Sequence, residues 1–454
     1  MRKILIIGSG KSTSYLLKYL LDKSVLENLF ITIGDLNIEN TKKLIENYKN
    51  TKAIVLDVFD ETSRKEAIKN SDIVISMLPA RFHIEVAKDC ILYKKHMVTA
   101  SYVSPEMQAL NDDAIANNLI LMNEIGVDPG IDHMSAMHVL DRIRDNGGKI
   151  ILFESFTGGL VAPESDNNLW NYKFTWNPRN VVVAGQGGAA KFLQEGTYKY
   201  IPYNRLFRRT EFLDIDGFGR FEVYANRDSL KYQSVYGLEN IKTLYRGTMR
   251  RVGFSRAWNI FVTLGMTDDS YTIDDSENMS YRDFVNAFLP YSPSDSVELK
   301  LRYQIKIDQD DIVWDKLVEL DIFSSTKRVE LKKATPAQIL EKILMDSWTL
   351  AKNDKDMIVM YHKFGYEKDG KKYQIDANMV TLGEDQTYTA MAKTVGLPVA
   401  IAALAILNGK IKTSGVQIPI TKEVYQPILK ELETFGITFN EKEVPYLGYN
   451  PLNN

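Results

Sequence analysis

The sequence predicts an α/β fold, a Rossmann-type doubly wound parallel sheet joined to a mixed α+β domain that carries a helical insertion. Three observations predict it. Short apolar runs alternate with helical segments over residues 1–125, as parallel strands and their covering helices do. A glycine-rich turn follows the first of those runs. The texture then changes after Asn146-Gly147-Gly148, where polar and aromatic stretches replace the alternation.

Lys3 to Ile7 is apolar throughout and ends at a Gly turn, the pattern of a strand buried on both faces. Tyr15 to Leu21 has its large apolar residues at helical spacing. Phe30 to Ile33, Ala53 to Leu56, Asp72 to Met77, His96 to Thr99 and Leu119 to Met122 continue the series of strands. Lys149 to Phe156, Asn180 to Ala184 and Phe221 to Ala225 read as strands of the second domain. Ser255 to Trp348 is largely helical. Met357 to Phe364, Lys372 to Ile375 and Val380 return to strand, and Ala390 to Leu407 is a long apolar helix, followed by the Pro419 turn and a helix from Lys422 to Phe435. The closing helices lead the chain back to its first domain. The expected division is therefore 1–125 with 390–454, then 126–254 with 356–389, and an insertion at 255–355.

At 454 residues the chain exceeds one domain of ~100–150 residues. A net charge of −3, with basic residues scattered in pairs at most, gives no reason to expect nucleic acid or an anionic membrane. The single cysteine, Cys90, excludes an internal disulfide framework and fits a reducing, cytoplasmic setting. Met1 to Ile7 runs directly into a strand, so no leader is expected, and Val395 to Leu407 is too short to span a bilayer. No metal site is expected.

Gly8-Ser9-Gly10-Lys11-Ser12-Thr13 lies between the first strand and the first helix. Gly8 permits a tight turn, Gly10 lets backbone approach a pyrophosphate, and the helix N-terminus offers amides and a positive dipole end. Thr13 replaces the third glycine of the GxGxxG pattern, so the match is partial. The run also resembles the tail of a P-loop, but Leu5 stands where that motif needs glycine. Asp35, at the end of the second strand, is placed to accept hydrogen bonds from a ribose. A 2′-phosphate about 5 Å away, at an effective dielectric of ~20, would be repelled by ~3 kcal/mol per unit charge. NAD is therefore the expected cofactor, with NADP possible. A solvated loop aspartate is the plainer alternative.

Leu78-Pro79 follows the fourth strand, where the nicotinamide half of a dinucleotide lies. Ser101, Tyr102 and Ser104 follow the fifth, at a carboxyl edge that carries ligands in open α/β sheets. Ser104 before Pro105 is also a plain helix cap. After the sixth strand, Asp128 precedes a Pro-Gly turn, with Asp132 and His133 nearby. Asp128 suits either a helix cap or a proton-transfer carboxylate. His133 suits a satisfied core histidine.

The segments SYVSPEM (101–107), NEIGVDPGIDH (123–133), GGLVAPES (158–165), YKFTW (172–176), ANRDS (225–229), RGTMR (246–250) and AKTVGLPVAIA (392–402) resemble the saccharopine reductase family in this order. The resemblance implies a nicotinamide-dependent oxidoreductase of lysine and amino-acid metabolism acting on CH–NH donors. Such enzymes condense aminoadipate semialdehyde with glutamate and reduce the imine, reversibly, as homodimers. It implies that Tyr102 and Asp128 lie beside the reacting carbon, and that Arg227, Arg246 and Thr248 belong to the substrate pocket. Saccharopine has three carboxylates, which suits guanidinium forks. An arginine paired with Asp228 is the plainer reading of Arg227. Two departures stand out. Thr157 occupies a position where many family members have cysteine, and Gly34-Asp35 stands where fungal NADP-using members have Ser-Arg. Carboxynorspermidine or lysine 6-dehydrogenase chemistry, and a dinucleotide sensor without turnover, are the rival readings.

Overall fold

The computed structural model describes residues 1–448. The chain divides into two compact units, Met1–Lys149 with Met379–Asn440, and Ile150–Asn378 with the stretch from Glu441. The first boundary lies past residue 125 because helix Ile131–Asp145 packs on helix Lys422–Glu433. Tyr425 of the latter donates its hydroxyl to Asp141 at 2.8 Å, closing that contact.

The first unit is built on seven parallel strands. Six are β1 (Arg2–Ile7), β2 (Leu29–Asp35), β3 (Thr51–Val55), β4 (Ile73–Ser76), β5 (His96–Val98) and β6 (Ile120–Met122). The seventh, Gly415–Gln417, was not anticipated from sequence. The order is Gly415–Gln417, β6, β5, β4, β1, β2, β3, with every pairing parallel. The order reverses between β1 and β4, which makes that point the crevice where open α/β sheets bind ligands. Ile4 to Ile7 of β1 are each at most 1% exposed, so this strand is covered on both faces. Each such side chain contributes about 1.5–3 kcal/mol of burial.

Helix Ala390–Leu407 is long and apolar enough, by length and composition, to cross a membrane, but it is 78% buried inside the fold. It lies against helix Ser14–Lys23. Gly396 permits the approach, since a Cβ there would fall 2.8 Å from Leu16 N and 3.1 Å from its Cβ.

The second unit contains β7 (Lys149–Val161), β8 (Ala190–Gln194), β9 (Thr197–Ile201), β10 (Thr210–Ile215), β11 (Gly219–Ala225), β12 (Thr243–Arg251), β13 (Asp356–Lys368) and β14 (Lys371–Leu382). Its sheet runs β10, β11, β12, β7, β13, β14 and Asn440–Val444, with β8 paired to β12 and β9 to β8. β12 is parallel to β7 and antiparallel to β11, so the sheet is mixed. The strand expected at Asn180 to Ala184 is instead part of helix Pro178–Val182. Pro178 sits at its first position, where the missing N–H costs nothing, and this outweighs the β preference of the valines. The expected helical segment between β12 and β13 is observed, from Phe254–Leu264 to Pro336–Trp348.

Gly396→Ala is expected to destabilise the protein by about 1–3 kcal/mol, because the added methyl meets backbone that cannot swing aside. A urea midpoint equal to wild type would show that the helices separate freely.

Candidate active site

β1 delivers the chain to Gly8 at the reversal point. Gly8 has φ +98°, and a Cβ there would lie 2.9 Å from Met77 O. Glycine alone fits. Gly8 N–H donates to Gly34 O at 2.8 Å, and Met77 N–H donates to Ile7 O at 2.8 Å, so the loop is anchored to both neighbouring strands. Around Gly10 nothing lies within 4 Å of a Cβ position. This open side faces the single turn Lys11–Thr13 that leads into helix Ser14–Lys23. The first amides of a helix have no intrahelical acceptor, so an anion is favoured there. Gly8, Ser9, Gly10, Lys11 and Ser12 thus fit a dinucleotide pyrophosphate. Thr13 does not weaken the turn, since its hydroxyl donates to Gly10 O at 2.7 Å and braces it.

Asp35 is placed differently from the ribose clamp expected of it. Its Oδ2 accepts the Ser9 amide at 2.6 Å and the Ser9 hydroxyl at 2.9 Å, and its Oδ1 accepts the Asn37 amide at 3.1 Å. Thr41 Oγ1 donates to Ser9 Oγ at 2.8 Å. The carboxylate therefore holds the glycine loop to β2. Three hydrogen bonds engage this carboxylate, which undercuts treating it as a bare charge that rejects a 2′-phosphate.

Leu78 and Pro79 leave β4, and Pro79 opens a short turn at Ala80–Phe82. The loops after β5 and β6 are joined to each other. Glu124 N–H donates to Ser101 O at 3.0 Å, and Val103 N–H donates to Glu124 Oε1 at 3.0 Å. Tyr102 lies between those two anchor points and is half-buried, as is Asp128. Glu124 Oε2 meets His133 Nε2 at 2.9 Å, and His133 is fully buried, so this histidine belongs to the core. Ser104 caps the helix Pro105–Gln108 by accepting the Met107 amide at 3.1 Å.

The N-cap position of helix Ile131–Asp145 falls on Gly130 rather than on Asp128. Helix Ile131–Asp145 begins behind Gly130, and Asp132 rather than Asp128 accepts the Gly130 amide, at 2.6 Å. Gly130 has φ +144°, and a Cβ would collide with Gly126 O at 2.1 Å, so the turn requires glycine. Asp128 stands at the mouth of this tight turn and is half-buried.

Besides the bracing role of Glu124, one further group went unread in the sequence. His83, near the start of helix His83–Leu92, bridges two strand ends. Its Nδ1 lies 2.8 Å from Ser76 Oγ at the end of β4, and its Nε2 lies 2.6 Å from Ser101 Oγ and 3.3 Å from Thr99 Oγ1. The ring is buried, and burial pushes its pKa down to about 4. A histidine four residues beyond the Leu78-Pro79 turn carried no motif, so only the three-dimensional contact reveals it.

In the second unit, Arg246 and Thr248 stand on one face of β12, two residues apart. Arg246 is buried with its guanidinium 4.3 Å from the Tyr232 ring centre. Thr248 is in register with Thr157 on β7, and the buried Thr157 hydroxyl has no hydrogen-bond partner among the described residues. Arg227 is exposed, at φ +49°, and its carbonyl accepts the Lys191 amide at 2.8 Å. Asp228 pairs with Lys191 at 3.3 Å, not with Arg227.

The neutral state of His83 has a measurable consequence. Its folded pKa lies below the unfolded value, so the unfolded chain binds the extra proton. Stability from this group is complete above about pH 6.5 and is lost as pH falls towards about 4. The loss amounts to about 3 kcal/mol. His83→Gln is expected to flatten that part of the profile, read as urea midpoints at pH 7 and 4.5; an unchanged slope would show that the ring protonates freely.

Residues 4–122 match the family model for the saccharopine dehydrogenase NADP binding domain, and residues 126–437 match that for the saccharopine dehydrogenase C-terminal domain. The chain is 33% identical to the Schizosaccharomyces pombe saccharopine dehydrogenase (NADP(+), L-glutamate-forming), across 97% of this chain and 99% of that one. It is also 33% identical to the rat mitochondrial alpha-aminoadipic semialdehyde synthase, across 97% of this chain and 47% of the larger protein. The structure of apo, histidine-tagged saccharopine dehydrogenase (L-Glu forming) from Saccharomyces cerevisiae matches with a TM-score of 0.88 at 31% identity, over 98% of this chain and 100% of that one. The preference for NAD drawn from Asp35 is thereby corrected: the matching domain model is an NADP one, and the S. pombe relative is named for NADP(+). The physical reason is that Asp35 serves the glycine loop. This two-unit chain, with its dinucleotide loop and its stitched pair of site loops, belongs to the saccharopine dehydrogenase family.

Proposed function

We propose that the protein interconverts saccharopine with aminoadipate semialdehyde and glutamate, using NADP(H). The observation that supports this most directly is the stitching of the loops after β5 and β6 through Glu124, beside the glycine loop on the same sheet edge. It gives Tyr102 and Asp128 a common, braced support. Bound NADP(+) supplies hydride acceptance from the carbon of the secondary amine. Asp128 takes the proton of the ammonium nitrogen and then orients the water that attacks the imine carbon. The Tyr102 hydroxyl hydrogen-bonds the oxygen that develops there. In the first unit Ser101, Ser104 and Asp132 are offered as substrate contacts; in the second, Arg227, Arg246 and Thr248 have the donors that suit substrate carboxylates. Leu78 and Pro79 border the nicotinamide.

The two rival readings predict different behaviour. A related amine dehydrogenase would prefer another amine over saccharopine, and a sensor would bind NADPH without turnover. The extended family resemblance through both units supports saccharopine. The reading also includes a cytoplasmic homodimer, which light scattering on the purified protein tests.

Purified protein with saccharopine and NADP(+) is expected to raise absorbance at 340 nm, with kcat/KM for NADP(+) above that for NAD(+). Absence of any change with either cofactor would overturn the proposal. Gly10→Ala is expected to keep the apo Tm within about 2 °C, since that side is open, while weakening NADPH at least tenfold. Tyr102→Phe and Asp128→Asn are expected to lower kcat by about 10²–10⁴ while leaving the NADPH Kd unchanged. Full kcat in either variant would remove that residue from the chemistry.

A further inference from the structure

The contacts of His83 form a line from the interior to the site: Ser76 Oγ, then the ring, then Ser101 Oγ. Ser76 is fully buried at the end of β4, and its hydroxyl has the His83 Nδ1 at 2.8 Å. A buried hydroxyl proton without an acceptor is costly. Ser76 and Thr99 are both buried and each has a His83 ring nitrogen as a candidate acceptor for its proton; the shorter contact, 2.8 Å against 3.3 Å, makes the Ser76 O–H the donor to Nδ1, the bare nitrogen of the neutral ring. The proton then sits on Nε2, and Nε2–H donates to Ser101 Oγ at 2.6 Å, the shorter of its two contacts, with Thr99 Oγ1 at 3.3 Å. The backbone on the far side is fixed too, since Ser101 O accepts Glu124 N–H and Ser101 N–H reaches Thr99 Oγ1 at 3.3 Å. With Nε2–H donating to its oxygen, the Ser101 hydroxyl keeps its own proton for a second partner.

We infer that His83 is a positioning residue that sets the Ser101 hydroxyl as a hydrogen-bond donor to a carboxylate of the amino-acid substrate. The inference rests on the proposed saccharopine reaction and specifies how one of its contacts is oriented. His83 moves no proton in the reaction. The Ser76 side decides the tautomer, and the tautomer decides which way Ser101 points. Burial keeps the ring neutral through the physiological range, so this orientation does not change with pH there.

The test uses the full-length protein with saccharopine and NADP(+). His83→Leu is expected to raise KM for saccharopine about tenfold or more, with kcat within about threefold and the NADPH Kd unchanged. His83→Gln, whose amide can donate in place of Nε2–H, is expected to restore most of the lost affinity. Ser101→Ala is expected to show the same defect, and His83→Leu added to Ser101→Ala to cost nothing further. Nitrogen NMR of the labelled apo protein is expected to show His83 protonated on Nε2. Additive losses in the double variant, no rescue by glutamine, or an Nδ1–H ring would each overturn the inference. Wild-type protein inert to saccharopine would overturn the proposed reaction together with it. Wild-type activity accompanied by any of the three contrary results would overturn His83's role alone.

Discussion

The Glu124 carboxylate is the constraint on which the site side of the first unit depends. It sits at φ +54°, an uncommon conformation for a residue with a side chain. One oxygen accepts the Val103 amide from the loop after β5, and the other meets His133 on the helix after β6. The residue is 5% exposed, so these contacts are made away from water, where a charge-assisted hydrogen bond counts for more. Removing the carboxylate would leave a buried amide and a buried imidazole without this acceptor, and both site loops would lose a common brace. The tight Gly126 to Gly130 turn then adds a second restraint, because its backbone passes too closely for any side chain.

The same logic explains why Asp35 misleads. Position in a βαβ unit says where a carboxylate stands, but not where its lone pairs point. The run of sequence around Asp35 contains nothing to indicate that Ser9, on another strand end, would occupy Oδ2 with two donors. A carboxylate accepting two hydrogen bonds from the phosphate loop is a structural part of that loop. Its charge is directed at the loop backbone, and a Coulomb estimate that treats it as a bare charge facing the ribose overstates its power to select a cofactor.

How much was legible follows from where the burial lies. The central strands of the first unit are covered on both faces and read as continuous apolar runs, and with the short edge run at β3, β1 to β6 were all visible within a residue or two. The short strand Gly415–Gln417 was not, because it holds only three residues and is recognised by pairing with β6. In the mixed sheet, β12 carries Arg246, Thr248 and Arg250 on one face, so its polar residues hid a strand that is mostly buried. The glycine loop and the Asp128 turn were readable as motifs. Glu124 and His83 were not, since each is defined by partners on other loops and neither belongs to a short-range pattern.

The substitution at 157 illustrates how a polar residue shapes chemistry without ionising. In the proposed reading, family members with cysteine at this position have a thiol on the strand beside Thr248, a weak donor that tolerates dry surroundings and can ionise. Threonine cannot ionise and is a stronger hydrogen-bonding group. Its hydroxyl is buried here without a partner among the described residues, a state that costs about 1–3 kcal/mol. The exchange therefore replaces a titratable group with a fixed hydrogen-bonding one.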